Sequence, residues 1–355
     1  MSDTTRIDRR EWLKGSVLAG LAAALTGLPA RLSWAGARTS EKPSPGASIE
    51  VKPAGGTIPR RPLGKTGVEV SALCLGGAHL GRADNEAEAV RIVHEAVEAG
   101  VTFMDNAWEY HGGKSEDWMG KGLAGRRDKV FLMTKVCTHG RSKQVAMAQL
   151  EDSLRRLKTD YLDLWMVHEV IYEDDPDRHF MPGGTIDALL EARKQGKVRY
   201  LGFTGHKDPA IHLKMLARGF PFDACLMPLN VFDGTYRSFE HQVLPELAKQ
   251  GIAPLAMKTL SGNGEPIERG LLTVEEALRY VLSLPIASLV SGIDSLEVLR
   301  QNLAIVRRFT PMPPAERVAL RSRVVASAAD GRYELFKSSR NYDGRLGREQ
   351  HNIPY

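Results

Sequence analysis

The 355-residue chain has three cysteines, Cys74, Cys137 and Cys225, without regular spacing. An odd, irregular set excludes a disulfide framework and reads as buried free thiols. The apolar run Val17 to Leu28 is about a dozen residues. That falls short of the ~20 helical residues that span a bilayer, so no stable transmembrane span is expected in the mature chain. Basic surplus is also missing from the body. Residues 1–61 hold ten Lys/Arg and five Asp/Glu, which accounts for the whole net charge of +5. A reader of phosphate backbones needs a basic face, so nucleic acid is not an expected partner. No Gly-x-Gly-x-x-Gly turn follows the first apolar strand. The nearest stretch, Gly76-Gly77-Ala78-His79-Leu80-Gly81, has the wrong spacing for a doubly wound dinucleotide fold. Gly113-Lys114-Ser115 has Trp108 where a phosphate loop needs its first glycine. No His-x-His or His-Glu-x-x-His pair occurs, so no metal ligand is assigned.

What is present begins with Arg9-Arg10-Glu11-Trp12-Leu13-Lys14. A mild, Ala- and Gly-rich apolar run follows, then small residues at Ser33-Trp34-Ala35 and Ala35-Gly36-Ala37. The pattern resembles a secretory signal of the twin-arginine class. The resemblance implies that residues 1–37 are a signal peptide read by the twin-arginine export machinery, with a periplasmic or otherwise exported destination. Residues 38–60, rich in Ser, Pro, Gly and charge, read as a flexible linker.

From Leu63 onward, short apolar runs alternate with helical patterns. The strands are expected at 72–77, 102–106, 130–136, 162–168, 198–204, 224–230, 252–257 and 287–293. One expected helix covers 86–99, with Val90, Val93 and Val97 on its buried side. Another covers 143–157, where Met147, Leu150, Leu154 and Leu157 keep the 3–4 spacing of a helical stripe. Gly100, Gly196 and Gly251 stand where helices should stop. Eight β/α units predict a closed (β/α)8 TIM barrel over residues 61–310. Residues 311–355 form a C-terminal helix and tail; the tail either crosses the barrel mouth or lies on the surface.

Function in such a barrel sits at the C-terminal ends of its strands. Polar residues interrupting apolar strand ends are costly to bury unpaired. Asp105 ends the second strand, Tyr110 follows in its loop, Lys135 ends the third and His168 the fourth. These four can converge on one mouth. An ammonium at Lys135 favours the phenolate of Tyr110 and is expected to lower its pKa. Asp105 can pair with Lys135, and His168 can orient a carbonyl oxygen. No side chain supplies hydride, so a nicotinamide must. The residues point to reduction of a small-molecule carbonyl, or the reverse.

The run Arg61-Pro62-Leu63-Gly64-Lys65-Thr66-Gly67-Val68-Glu69-Val70-Ser71 resembles the aldo-keto reductase family. So do Asp105-Asn106-Ala107-Trp108-Glu109-Tyr110-His111-Gly112-Gly113-Lys114-Ser115-Glu116, Thr134-Lys135 and Val167-His168. The resemblance implies Tyr110 as acid, Asp105 and Lys135 as its tuners, and His168 as substrate orienter. It also implies an NADP (or NAD) cofactor held by Thr204, Asn230, Lys258, Gly292 and Asn302. Two departures stand out: Gly205 replaces the amide after the fifth strand, and Leu226 replaces the glutamine on the sixth.

Three rivals remain. His79, His111, His139, His168 and His206 near strand ends suit a metal-dependent barrel hydrolase, although Cys137-Thr138-His139 is only a fragment of a ligand motif. Lys135 or Lys258 suits a Schiff-base lyase. The Gly205 and Leu226 departures suit a nicotinamide-binding sensor without turnover.

Overall fold

A computed structural model describes residues 56–139 and 142–354. The signal peptide expected over 1–37, and most of the linker expected over 38–60, lie outside the described residues. Strands β1 (Arg60–Pro62) and β2 (Glu69–Ser71) form an antiparallel hairpin. Eight parallel strands follow: β3 (Leu73–Gly76), β4 (Phe103–Asp105), β5 (Phe131–Val136), β6 (Leu162–Val167), β7 (Val198–Thr204), β8 (Ala224–Pro228), β9 (Ala253–Met257) and β10 (Ser288–Gly292). They run in sequence order, and β10 pairs with β3 to close the barrel. All eight expected strands form.

The strand period of two decides which side chains fill the barrel. In β5, Phe131 and Met133 point inward, while Leu132 and Val136 pack outward against helices. Continuing that alternation places Lys135 inside, at the C-terminal end of the strand. In β4, Phe103 is inside and Met104 outside, so Asp105 is inside at the same end. Leu63 and Val70 of the β1–β2 hairpin join this inner cluster.

The helix Glu86–Glu98 is capped by Asn85, whose side chain accepts from Glu88 N, and Gly100 at φ 94° stops it. Its buried stripe is Ala89, Ile92, Val93 and Ala96. That corrects the expected Val90–Val93–Val97 face by a fraction of a turn, because alanines, not only the larger valines, fill the narrow gap against the strands. The helix Lys143–Leu157 forms with the expected bounds and buries Leu150, Leu154 and Leu157.

The tail does not lie free on the surface. After the helix Pro314–Ala328, the chain packs Phe336 and Lys337 out of solvent. The Lys337 ammonium donates to Asp233 Oδ1 at 2.6 Å and to Tyr236 O at 2.8 Å, and lies 2.8 Å from Glu334 Oε1. Phe336 O is 3.1 Å from His206 Nδ1, so the tail reaches the loop after β7. Among the described residues, no helix is long and apolar enough to cross a membrane.

Candidate active site

The four expected residues meet. Lys135 Nζ donates to Asp105 Oδ1 at 2.5 Å, to Asn106 O at 2.6 Å and to the Tyr110 hydroxyl at 3.4 Å. Its ammonium also stands 4.8 Å from the centre of the Tyr110 ring. The Tyr110 and His168 rings meet edge to face, with centroids 5.5 Å apart. Asp105, Tyr110 and His168 line one cavity of about 620 Å³. Lys135, fully buried, supports them from beneath.

The loop that carries Tyr110 is pinned from two sides. Asn106 N donates to Met133 O and Trp108 N to Lys135 O, which continue the β5 edge. Arg156, from the helix Lys143–Leu157, donates to Trp108 O at 2.9 Å and to the buried Glu116 at 3.2 Å. Thr134 donates to the other oxygen of Glu116 at 2.6 Å. Gly113 takes φ 91° against the Arg156 guanidinium, where a Cβ would collide.

The electrostatics correct one expectation. Burial, and then the negative charges of Asp105, Glu109 and Glu169, push the Tyr110 phenol well above its ordinary value. It is not lowered. Burial is the main reason, and Lys135, which gives its short contacts to Asp105 and Asn106, does not offset it. Tyr110 is therefore held protonated across the neutral range. Burial also raises the Asp105 carboxyl, and the charge and hydrogen bond of Lys135 oppose that shift.

Two neighbours escaped sequence reasoning. Glu109 pairs with His168 Nδ1. Glu169 lines the same cavity and faces His206 and His139. Burial works to raise its carboxyl, but the hydrogen bond to His206 and the charges of His168, His206 and His139 outweigh it and bring it to about 2. Both acids sit beside a recognised residue in sequence; nothing in a strand-end pattern tells which neighbour turns inward.

Four of the five expected cofactor residues line the cavity: Thr204, Lys258, Gly292 and Asn302. Asn302 Nδ2 donates to Ser291 Oγ at 2.9 Å. Burial lowers the Lys258 ammonium to about 8, with Glu169 opposing and Lys135 assisting. Asn230 does not line it. Its Nδ2 donates to Glu334 of the tail at 3.0 Å, and its Oδ1 accepts from Phe232 N and Asp233 N. The tail has taken the group that the resemblance assigned to cofactor. The glycine at 205 also has a cause: a Cβ there would collide with Val170 O. Leu226 is buried and lines the cavity with apolar surface.

Comparison with known proteins agrees with this geometry. Residues 72–264 match the sequence profile of the Aldo/keto reductase family. An oxidoreductase of Bacillus subtilis (strain 168), YqkF, is 28% identical over 294 residues, covering 71% of this chain and 92% of its own length. The methylglyoxal reductase YeaE of Escherichia coli (strain K12) is 30% identical over 210 residues, covering 58% and 69%. Among solved structures, the holo form of an aldo-keto reductase from Bacillus halodurans superposes with a TM-score of 0.64 at 26% identity, covering 75% of this chain and 96% of that one. By the profile match, which spans more than half of its length, the chain belongs to the aldo/keto reductase family of NAD(P)-dependent oxidoreductases.

Proposed function

We propose that the chain reduces a small aldehyde or ketone to the alcohol with NADPH, and that Tyr110 donates the proton. The observation that carries this reading is the convergence of the Tyr110 hydroxyl, the Lys135–Asp105 pair and His168 on one 620 Å³ cavity. With Nδ1 of His168 taken by Glu109, Nε2 is the ring nitrogen left for a substrate oxygen. A carbonyl oxygen held between Tyr110 and His168 is polarised for attack at carbon. The resulting alkoxide is a far stronger base than a phenolate, even one whose parent phenol is weakly acidic. Proton transfer from Tyr110 is therefore downhill once negative charge develops, and a raised phenol keeps the donor loaded until then.

The residues present fit a nicotinamide dinucleotide. The cavity runs from Tyr110 past Thr204 and Leu226 to Lys258, Gly292 and Asn302. The His79 ring packs against Gly292, and the helix Leu296–Arg307 that follows contributes Val298, Gln301 and Asn302 to the cavity lining. When bound, the cofactor supplies the hydride. Lys258 would face a phosphate, a group that both nucleotides carry. The relative named methylglyoxal reductase supports a small carbonyl substrate. Steady-state oxidation of NADPH and NADH with a panel of aldehydes and ketones tests the reading. Turnover of at least one carbonyl is expected; nucleotide binding without turnover of any would instead favour a sensor.

The twin-arginine pattern at Arg9-Arg10 supports export to the periplasm, with the cofactor bound before transit. Fractionation of cells producing the full chain and an Arg9→Lys, Arg10→Lys variant tests this. Export of the variant at the wild-type level would contradict it.

A further inference from the structure

Beside the reductase cavity, a second group of donors converges, on side chains that the proposed reaction does not use. Cys137 and His139 follow β5, and Glu169 follows β6. One ligand atom from each lies within 4.8 Å of the other two. His139 Nε2 is 3.9 Å from Cys137 Sγ and 3.8 Å from Glu169 Oε2. A tetrahedral zinc with ordinary bond lengths would place such donors ~3.4–3.6 Å apart, so the two separations from His139 need to contract by a few tenths of an ångström and the Cys137–Glu169 separation by up to about an ångström.

The donors are buried: His139 at 0%, Cys137 at 1% and Glu169 at 9% exposure. Glu169 Oε2 has no hydrogen-bond partner, which is unusual for a buried carboxylate oxygen. His139 and Glu169 both adopt left-handed backbone, φ 45° and 51°, which only a local constraint keeps in non-glycine residues. A Cβ on Gly347 of the tail would collide with His139 Nε2, and one on Gly344 with Glu169 Oε2. Glycine at both positions keeps the two donor atoms uncovered.

The far side of His139 has the arrangement a metal-bound imidazole needs. Its Nδ1 is 3.4 Å from Asp175 Oδ1. Asp175 is itself fixed: Oδ2 accepts from Ile171 N at 2.9 Å and Tyr172 N at 2.8 Å, and Oδ1 lies 2.9 Å from His351 Nε2. A carboxylate behind the ligating histidine sets its tautomer and strengthens it as a donor. Glu109, Cys137 and His168 form an overlapping set, but Glu109 and His168 pair with each other and His168 faces the reductase cavity.

We propose that Cys137 Sγ, His139 Nε2 and Glu169 Oε2 bind one zinc-class divalent cation, with Asp175 positioning His139 from behind. Sulfur, nitrogen and oxygen donors together select a borderline-soft transition metal over magnesium or calcium. On binding, Cys137 releases its thiol proton to solvent as the sulfur–metal bond forms. The thiolate and carboxylate then balance the double charge, so the buried centre is neutral. Cys137 and Glu169 also line a separate cavity of about 350 Å³, reached past Trp108, which gives the ion access and leaves a fourth position open.

Cobalt(II) titration of the full-length apoprotein tests this. One equivalent should bind with a thiolate-to-cobalt charge-transfer absorption, displaced by zinc. Cys137→Ser should lose that absorption, and Asp175→Asn should bind roughly 10- to 100-fold more weakly. Tyr110→Phe should bind cobalt as the wild type does, so the result stands apart from the reductase reading. If Cys137→Ser does not fold, His139→Gln should weaken cobalt binding instead. No charge-transfer absorption at saturating cobalt, or one that survives loss of Cys137, overturns the proposal.

Discussion

Lys135 Nζ lies 2.5 Å from Asp105 Oδ1, nearly an ångström closer than its 3.4 Å approach to the Tyr110 hydroxyl. Burial first, and then the charges of Asp105, Glu109 and Glu169, raise the phenol, and an ammonium held this closely by Asp105 does not offset them. Asp105→Asn removes one of the charges that raise Tyr110 and frees Lys135 toward the ring. The Tyr110 ionisation, followed by ultraviolet difference titration against a Tyr110→Phe background, should move to lower pH in this variant. An unmoved or higher titration would contradict the part that the Asp105 charge plays in raising the phenol.

Lys258 predicts a pH dependence of cofactor binding. With its folded value at about 8, the ammonium is charged below that pH and neutral above it. NADPH affinity should fall as pH rises through about 8. Lys258→Met should weaken binding at pH 7 by about 10- to 100-fold, from the ~1.5–3 kcal/mol of a charged hydrogen bond, and flatten the profile. Fluorescence titration of NADPH across pH checks both; a Met variant with the wild-type profile would remove Lys258 from the phosphate site.

His212 predicts acid sensitivity. It is buried between Phe203 and Phe239, and neither ring nitrogen has a hydrogen-bond partner. Burial lowers its value from 6.5 to about 3, with His206 adding to the shift. Between those values the unfolded chain binds the proton and the folded chain does not. Stability is therefore complete above about pH 6.5 and drains away as pH falls toward 3. His212→Phe should unfold less readily than wild type at pH 5 while changing little at pH 8. Urea midpoints at the two pH values measure this.

The tail anchor is the last stability test. Lys337, Asp233 and Glu334 are fully buried together. Lys337→Met leaves two carboxylates facing each other without a cation, a change that typically costs ~3–5 kcal/mol. Urea unfolding should show a loss of that order. A loss below 1 kcal/mol would mean that the tail is not held by this cluster.

The sequence made the barrel and its mouth legible because both follow local rules. Polar residues closing short apolar runs place Asp105 and Lys135 at strand ends, and glycine stops bound the units. What stayed hidden depends on contacts across many residues. Asn230 matches a cofactor contact in sequence, but its Nδ2 donates to Glu334, 104 positions away. Glu169 and His206 gained meaning only when β6 and β7 brought their loops together. The direction of the Tyr110 shift depends on how deeply the phenol is buried and on the carboxylates gathered round it, which no local pattern encodes.

The central claim is that Tyr110 protonates the carbonyl oxygen as hydride arrives. Steady-state and single-turnover reduction by Tyr110→Phe, with NADPH affinity measured on the same preparation, tests it most directly. A positioned general acid contributes ~10²–10⁴-fold, so kcat should drop by about that factor while NADPH binding stays within twofold of wild type. A variant that reduces the same carbonyl at the wild-type rate would contradict the assignment.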